Sequence, residues 1–165
     1  MKKALTPVVA AVFVLFLVGV IQASNVAQQT VTFEIQAINE ISVSGNPGAL
    51  VVNAATAGSQ PDSDTDSSTT YAITTNCASN GKKITAAIGE DMPSGVTLSL
   101  TLSAPAGGIS GGAKDLSTSA QDVVTAIDAV AQSGISISYQ LSATVSAGVV
   151  ASDTRTVTLT LADAS

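Results

Sequence analysis

The chain has no histidine and no tryptophan, and its only cysteine is Cys77. Without histidine, catalytic triads and metal sites that use imidazole are excluded. A lone cysteine forms neither an intramolecular disulfide nor a cysteine-based zinc cluster. It leaves two interpretations open, an intermolecular disulfide in an oxidising compartment and a small buried side chain. We therefore predict no enzyme activity, no catalytic residue and no cofactor.

Aromatic and basic residues are also scarce. Beyond residue 23 the aromatic residues are Phe33, Tyr71 and Tyr139, too few for the exposed ring platforms that sugar-binding modules usually need. The chain has six basic and twelve acidic residues. Without Lys2 and Lys3, four basic residues remain with twelve acidic ones, which gives a net charge of −8. A surface with this charge repels nucleic acid and anionic lipid, so neither is an expected partner.

Residues 1–23 are typical of a secretory signal peptide. Two lysines precede an apolar run from Pro7 to Ile21, and small or polar residues follow. We expect cleavage after Ala23 or Ala27, and the alternative is an uncleaved anchor. The remainder, 28–165, has about 140 residues, which suits a single domain. It is expected to be secreted, extracellular or at the cell surface (after periplasmic transit in a Gram-negative cell), without stable membrane insertion.

The C-terminal run from Gly134 to Ala164 has the clearest strand pattern. Apolar and small polar residues alternate from Ile135 to Val145 and again around Leu159, with a break at 146–153. Period-two alternation predicts strands with one buried face, here two joined by a turn. The same pattern predicts strands at 71–75, 83–88 and 96–104, and Asn80-Gly81 is typical of a hairpin turn.

Alternation also marks the first residues after the predicted signal. One side of this predicted strand carries Val31, Phe33, Ile35 and Ala37, and the other carries Thr32, Glu34 and Gln36. The segment contains no lysine or proline, the residues that commonly protect an edge strand from pairing with another chain. We predict that Val31, Phe33, Ile35 and Ala37 form an assembly strand.

The segment 117–133 is ambiguous. Val123, Ile127 and Val130 have helical spacing, whereas the β-branched residues around Val124 favour a strand. We favour a short strand that ends near Ile127, followed by a loop to Gly134. The chain then has about eight strands (a range of seven to nine) at a spacing that is typical of a β-sandwich.

Acidic residues provide two candidate sites. Asp62, Asp64 and Asp66 alternate as at the start of a Ca²⁺-binding loop, but glycine and a closing glutamate are missing, so we favour a solvated loop over a weak Ca²⁺ site. The adjacent Glu90 and Asp91 are expected to lie in a solvated turn rather than to act as a general acid/base pair. Lys82 and Lys83 are expected to keep a hairpin tip soluble.

Two stretches carry a resemblance to a known family. The segment YAITTNCASNGKKITAAI and the closing segment YQLSATVSAGVVASDTRTVTLTLADA resemble those of bacterial fimbrial and other cell-surface filament subunits. The resemblance implies an immunoglobulin-like antiparallel β-sandwich and a structural role. The chain departs from the chaperone-usher type, since it has no disulfide pair and no penultimate aromatic residue, and it has no Trp-x-Leu motif.

Two functions therefore remain. The first is a secreted, non-enzymatic subunit of a cell-surface or fimbria-like filament, assembling through β-strand pairing with other copies or with another surface protein. The alternative is a monomeric extracellular module that binds a carbohydrate or a cell-envelope polymer. A small hydrolase that uses the acidic residues has the least support.

Overall fold

The computed structural model describes residues 25–78 and 81–164. The predicted signal peptide, 1–23, lies outside these ranges. The described residues from Ile35 onwards form one compact unit, which contains every strand of the described ranges. The strands are β1 (Asn39–Val43), β2 (Asp64–Asp66), β3 (Thr70–Thr75), β4 (Lys82–Ile88), β5 (Val96–Leu102), β6 (Ile109–Ser110), β7 (Lys114–Asp115), β8 (Gln121–Ile127), β9 (Val130–Ala143) and β10 (Val157–Asp163).

The strands form two antiparallel sheets that pack as a sandwich. The six-stranded sheet has the order β1-β3-β9-β5-β7, with β2 also paired to β9, and the four-stranded sheet has the order β10-β4-β8-β6. The predicted all-β sandwich is confirmed. The described ranges contain ten strands, more than the seven to nine predicted. Three of them, β2, β6 and β7, are only two or three residues long. The described helix, Val145–Ala147, is a single 3-10 turn, and no described helix is long and apolar enough to cross a membrane.

The long strand β9 organises the larger sheet. Its first half pairs with β3, from Thr75↔Val130 to Thr70↔Ser136, and its second half pairs with β5, from Leu102↔Ile137 to Val96↔Ala143. The pairing with β3 shifts register near Gly134, whose φ of 69° is unfavourable for residues with a Cβ. One strand therefore joins two halves of a sheet, and the loop predicted before Gly134 belongs to β9.

The alternating residues form the core, as the pattern predicts. On β5, Leu100 and Leu102 are fully buried, while the intervening Thr101 is half-buried on the other face. The two sheets contribute to one apolar cluster, so this burial holds them together. The cluster consists of Tyr71, Ile73, Ile84, Ala86, Ile88, Leu98, Leu100, Leu102, Leu116, Val123, Val124, Ile127, Ile135, Ile137 and Tyr139.

Strand β8 settles the ambiguous segment in favour of the predicted strand, which ends at Ile127. Its pairing with β4 shifts register on either side of Ile84, and Ala126 has a φ of 56°. These irregularities bury the neighbours Val123 and Val124 together with Ile127. Buried positions at i, i+1 and i+4 reproduce helical spacing on a bulged strand.

The hairpin predicted at Asn80-Gly81 is wrong, whereas the two predicted C-terminal strands are present but do not pair with each other. The runs on either side of Asn80-Gly81 become β3 and β4, which lie in different sheets and do not form a hairpin, and Asn80 itself is outside the described residues. The two C-terminal runs, β9 and β10, also lie in different sheets. In both cases the chain crosses from one layer of the sandwich to the other, because each strand has a better partner elsewhere in the chain.

The buried tyrosine Tyr71 provides a test of core packing. It is 1% exposed, its hydroxyl donates to the carbonyl of Ser103 at 2.6 Å, and burial raises its pKa to about 12. An unfolded tyrosine ionises near pH 10, so this contribution is complete below pH 10 and is lost as the pH rises towards 12. We expect Tyr71 to lower the free energy of unfolding by about 2–3 kcal/mol over that window.

The measurement is urea unfolding at pH 8, 10, 11 and 12 for the wild type and Tyr71→Phe. The variant should lose less stability between pH 10 and 12. It should still lose some, because burial also raises the pKa of Tyr139. Equal losses in the two proteins would contradict the assignment to Tyr71.

Candidate functional site

The predicted assembly strand is exposed and forms no strand within the subunit. The first strand of the described residues begins only at Asn39, so the predicted strand at 31–37 is absent from the sheets. Its large apolar side chains are almost completely solvated: Val31 is 76% exposed, Phe33 86% and Ile35 81%. The pattern of a half-buried strand is therefore present without a surface that covers its apolar side.

Asn76 anchors the chain where this segment ends. Its side-chain amide donates to the carbonyl of Gln36 at 2.7 Å, and its Oδ1 accepts from the amide of Ile38 at 2.8 Å. The amide of Asn76 also donates to the carbonyl of Ile38 at 3.2 Å. The last residues before β1 are thus held by the side chain of Asn76 and by one backbone hydrogen bond that extends the β1–β3 pairing to Ile38.

Strand β10 is an edge of the four-stranded sheet. The amides of Gly89 and Ala164 donate to the carbonyls of Thr156 and Gly81, both at 3.0 Å, which places the even-numbered residues in the hydrogen bonds with β4. In an antiparallel pair the intervening residues direct their N–H and C=O groups to the opposite side. On β10 these residues are Val157, Leu159 and Leu161.

A groove of about 760 Å³ lies between β10 and β1, the edge strands of the two sheets. Its floor includes the buried Leu98, Ile137 and Tyr139, and its walls include Ile41 and Leu159. Both wall residues are only partly buried, although they pack against the core. The groove therefore reaches the apolar core along two strand edges, and its lining also includes polar residues such as Ser42, Asn46 and Arg155.

Thr69 lines this groove and has an unusual hydroxyl. Its side chain is 4% exposed, and its Oγ1 has no hydrogen-bond partner among the described residues. A buried hydroxyl without a partner is costly, since it has lost its bonds to water without replacing them. Nothing in the sequence around Thr69 distinguishes it from the other threonines, so sequence reasoning missed it.

Cations are concentrated around β10. Lys82 forms a salt bridge with Asp163 across the β4–β10 pair, and Lys83 forms one with Asp122 of β8 at 3.1 Å. Arg155 precedes β10, and its guanidinium binds Asp153 at 2.6 Å. That contact lowers the pKa of Asp153. The two lysines are therefore strand residues with partners on adjacent strands, not the tip of a hairpin.

The three aspartates considered for Ca²⁺ lie on and beside β2. Asp62 is exposed, Asp64 accepts the amide of Val51 at 2.7 Å, and Asp66 accepts the hydroxyl and amide of Ser68 at 2.8 and 3.0 Å. The bonds from Ser68 lower the pKa of Asp66. Among the described residues no group of three or more His, Cys, Asp or Glu is placed to hold a metal ion. Asp64 and Asp66 thus fix a loop and a turn to the sheet.

The other sequence candidates are the acidic pair before Met92 and the lone cysteine. Glu90 and Asp91 are exposed, and Asp91 Oδ1 accepts the amide of Thr118 at 3.1 Å. Cys77 is free and half-buried. An added Cβ on Gly81 would lie 2.5 Å from its Sγ, so the thiol packs directly against a backbone that has no side chain.

A second cavity, of about 710 Å³, lies at one end of the sandwich. It adjoins the groove, since both include Leu50, Leu98 and Arg155. Other lining residues include Val52 and Met92, and none of those described is aromatic. The groove thus continues from the strand edges to the loops.

No protein-family model, curated protein or solved structure matches this chain. The functional interpretation therefore rests on three structural features: the exposed N-terminal segment, the free edge of β10 and the groove.

Proposed function

We propose that this protein is a secreted, non-enzymatic structural subunit of a cell-surface or fimbria-like filament, built on an immunoglobulin-like sandwich. Copies assemble through β-strand pairing, with residues 31–37 of one subunit donated to another. The observation that carries the proposal is the exposure of Val31, Phe33 and Ile35, which is 76%, 86% and 81%. Three large exposed apolar side chains in strict alternation are typical of a strand whose apolar side is covered by another surface.

The energetics favour such a contact. Burial of each of these side chains contributes about 1.5–3 kcal/mol, and each backbone hydrogen bond adds roughly 1 kcal/mol. Association costs an estimated ~4–15 kcal/mol in lost freedom. The gain from three such side chains and the hydrogen bonds of one strand pairing is therefore of the same order as this cost. The absence of charges other than Glu34 in the segment limits the cost of desolvation.

Electron microscopy of the secreted or sheared surface fraction tests the proposal, on material identified by intact mass. We expect regular filaments that contain this chain. The same fraction in size-exclusion chromatography should give oligomers much larger than the monomer. Monomers alone, at concentrations up to the millimolar range, would contradict the structural role.

The second candidate is a monomeric module that binds a carbohydrate or envelope polymer. It is favoured by the end cavity of about 710 Å³, which has the size of a small-ligand pocket. The described lining residues are mostly apolar and include no aromatic ring, which disfavours a sugar. A monomeric chain that binds an envelope polymer in a sedimentation assay would support this candidate over the filament subunit.

A further inference from the structure

We infer that the free edge of β10, with the groove between β10 and β1, is the acceptor for residues 31–37 of a second copy. This inference rests on the proposed function, because it names the surface to which the donated strand binds. The bound segment would become a fifth strand of the smaller sheet, placed beside Val157, Leu159 and Leu161.

The edge of β10 fits the donor in length and in pattern. Both segments have seven residues. The outward N–H and C=O groups of β10 belong to residues whose apolar side chains point towards the core. A strand paired there can place Val31, Phe33 and Ile35 in the groove and Thr32 and Glu34 in solvent.

The other sheet edges are poorer acceptors. Strands β6 and β7 are only two residues long, and β1 has five residues with the polar Asn39 and Glu40 at its start. Strand β10 carries no charge before Asp163 and no proline, so it lacks the usual protection against pairing. Among the described edges, it is the longest and least protected.

The groove also has a polar feature that a backbone would satisfy. The buried Thr69 Oγ1 lines it without a partner among the residues that the structure describes. An extended segment brings N–H and C=O groups along its whole length, and one of them can bond this hydroxyl. An apolar small molecule would leave the hydroxyl unpaired.

Area and charge agree with a second copy as the occupant. Residues 30–38 span about 30 Å when extended, and covering their inner face and both edges buries on the order of 600–800 Å² of that copy. A standard interface buries about 800 Å² on each partner. The donor carries only Glu34, and the three cations that flank β10 (Lys82, Lys83 and Arg155) are each paired with an aspartate, so the acceptor edge has little net charge. In a chain whose net charge without Lys2 and Lys3 is −8, this is a region where an acidic copy approaches with little repulsion.

Hydrogen exchange measured by NMR tests the acceptor. The acceptor is the full chain with Phe33→Asp, whose own donor segment is disabled, and the probe is a synthetic peptide of residues 28–38. We expect the amides of Leu159 and Leu161 to exchange at least tenfold more slowly with peptide. Those of Thr158 and Thr160, already directed to β4, should change little. A peptide with Phe33→Asp is the control and should give no protection.

Two variants test the role of Thr69. Thr69→Val keeps the shape of the side chain and removes the hydroxyl, so we expect it to weaken peptide binding about three- to tenfold without destabilising the acceptor. Thr160→Val, the same change on the exposed face of β10, should leave binding unchanged. Equal binding by both variants would remove Thr69 from the acceptor.

The two proposals fail in different ways. If the wild-type chain forms filaments but the peptide protects β1, another strand or no strand, the acceptor assignment is overturned and the structural role stands. If the odd-numbered β10 amides are protected by residues 28–38 of the same molecule but not by the separate peptide, the groove is filled within one molecule. That result also overturns the assignment. A wild-type chain that stays monomeric overturns the proposed function itself.

Discussion

Replacing Phe33 with aspartate is expected to abolish assembly while leaving the sandwich as stable as the wild type. Phe33 is 86% exposed, so its replacement removes little buried apolar surface from the subunit. In an assembled copy the same position would be buried, and aspartate would lose about 2–3 kcal/mol of apolar burial and add the desolvation of a carboxylate. A loss of at least about 3 kcal/mol corresponds to more than a hundredfold weaker association.

The matched control is Thr32→Asp, which adds the same charge one residue away on the solvated side of the segment. Analytical ultracentrifugation compares the two variants, and urea unfolding verifies that both remain folded. Thr32→Asp should assemble within a fewfold of the wild type. Equal loss in both variants would assign the effect to net charge rather than to the apolar face, and the donor assignment would then be wrong.

The strands of this protein can be predicted from sequence where alternation is regular. On β5 the leucines at 98, 100 and 102 are buried, and the serine and threonine between them are only half-buried. This succeeds because a half-buried strand imposes period two on its own residues. The information is local, so a single stretch is sufficient to define it.

Irregular strands are harder to predict from local patterns. Val123, Val124 and Ile127 are buried on β8 because the pairing with β4 shifts register, and the resulting spacing matches a helix as well as a strand. The β-branched residues of this segment correctly predict a strand. A bulge depends on the partner strand, which the segment's own sequence does not specify.

The main difference between the prediction and the structure concerns which strands pair with each other. Asn80-Gly81 is a local signal for a hairpin, yet β3 pairs with β1 and β9 while β4 pairs with β10 and β8. The choice depends on contacts between residues far apart in sequence, as in the register Lys82↔Asp163. Local turn chemistry cannot outweigh a long strand pairing elsewhere.

The candidate site was predicted in part. Its donor half depends on alternation at residues 31–37, which is visible in the sequence. Its groove depends on the distance between β1 and β10 and on the unpaired hydroxyl of Thr69, and both arise only when the sheets pack. The exposure of Phe33 is likewise a property of the folded chain, because alternation alone predicts a buried face.

Replacing Leu100 with alanine is expected to destabilise the subunit by about 3–5 kcal/mol. Leu100 is fully buried on β5, between the buried Leu98 and Leu102, and its loss leaves a cavity that the surrounding strands cannot close. Total stabilities of about 5–15 kcal/mol are usual, so this one change removes a large fraction. Urea unfolding with tyrosine near-ultraviolet circular dichroism measures it, since Tyr71 and Tyr139 are both in the core.

Thr101→Ala is the control for this substitution, because Thr101 is the next residue on the same strand and lies on the opposite, half-buried face. It should cost less than about 1 kcal/mol. If both variants lost the same free energy of unfolding, the effect would come from changing β5 at any position and not from the apolar layer between the sheets. Leu100→Ala should also recover apparent stability when it assembles, because a strand that binds only the folded sandwich shifts the unfolding equilibrium towards the native state. An apparent stability that stays the same as subunit concentration rises into the assembling range would contradict that coupling.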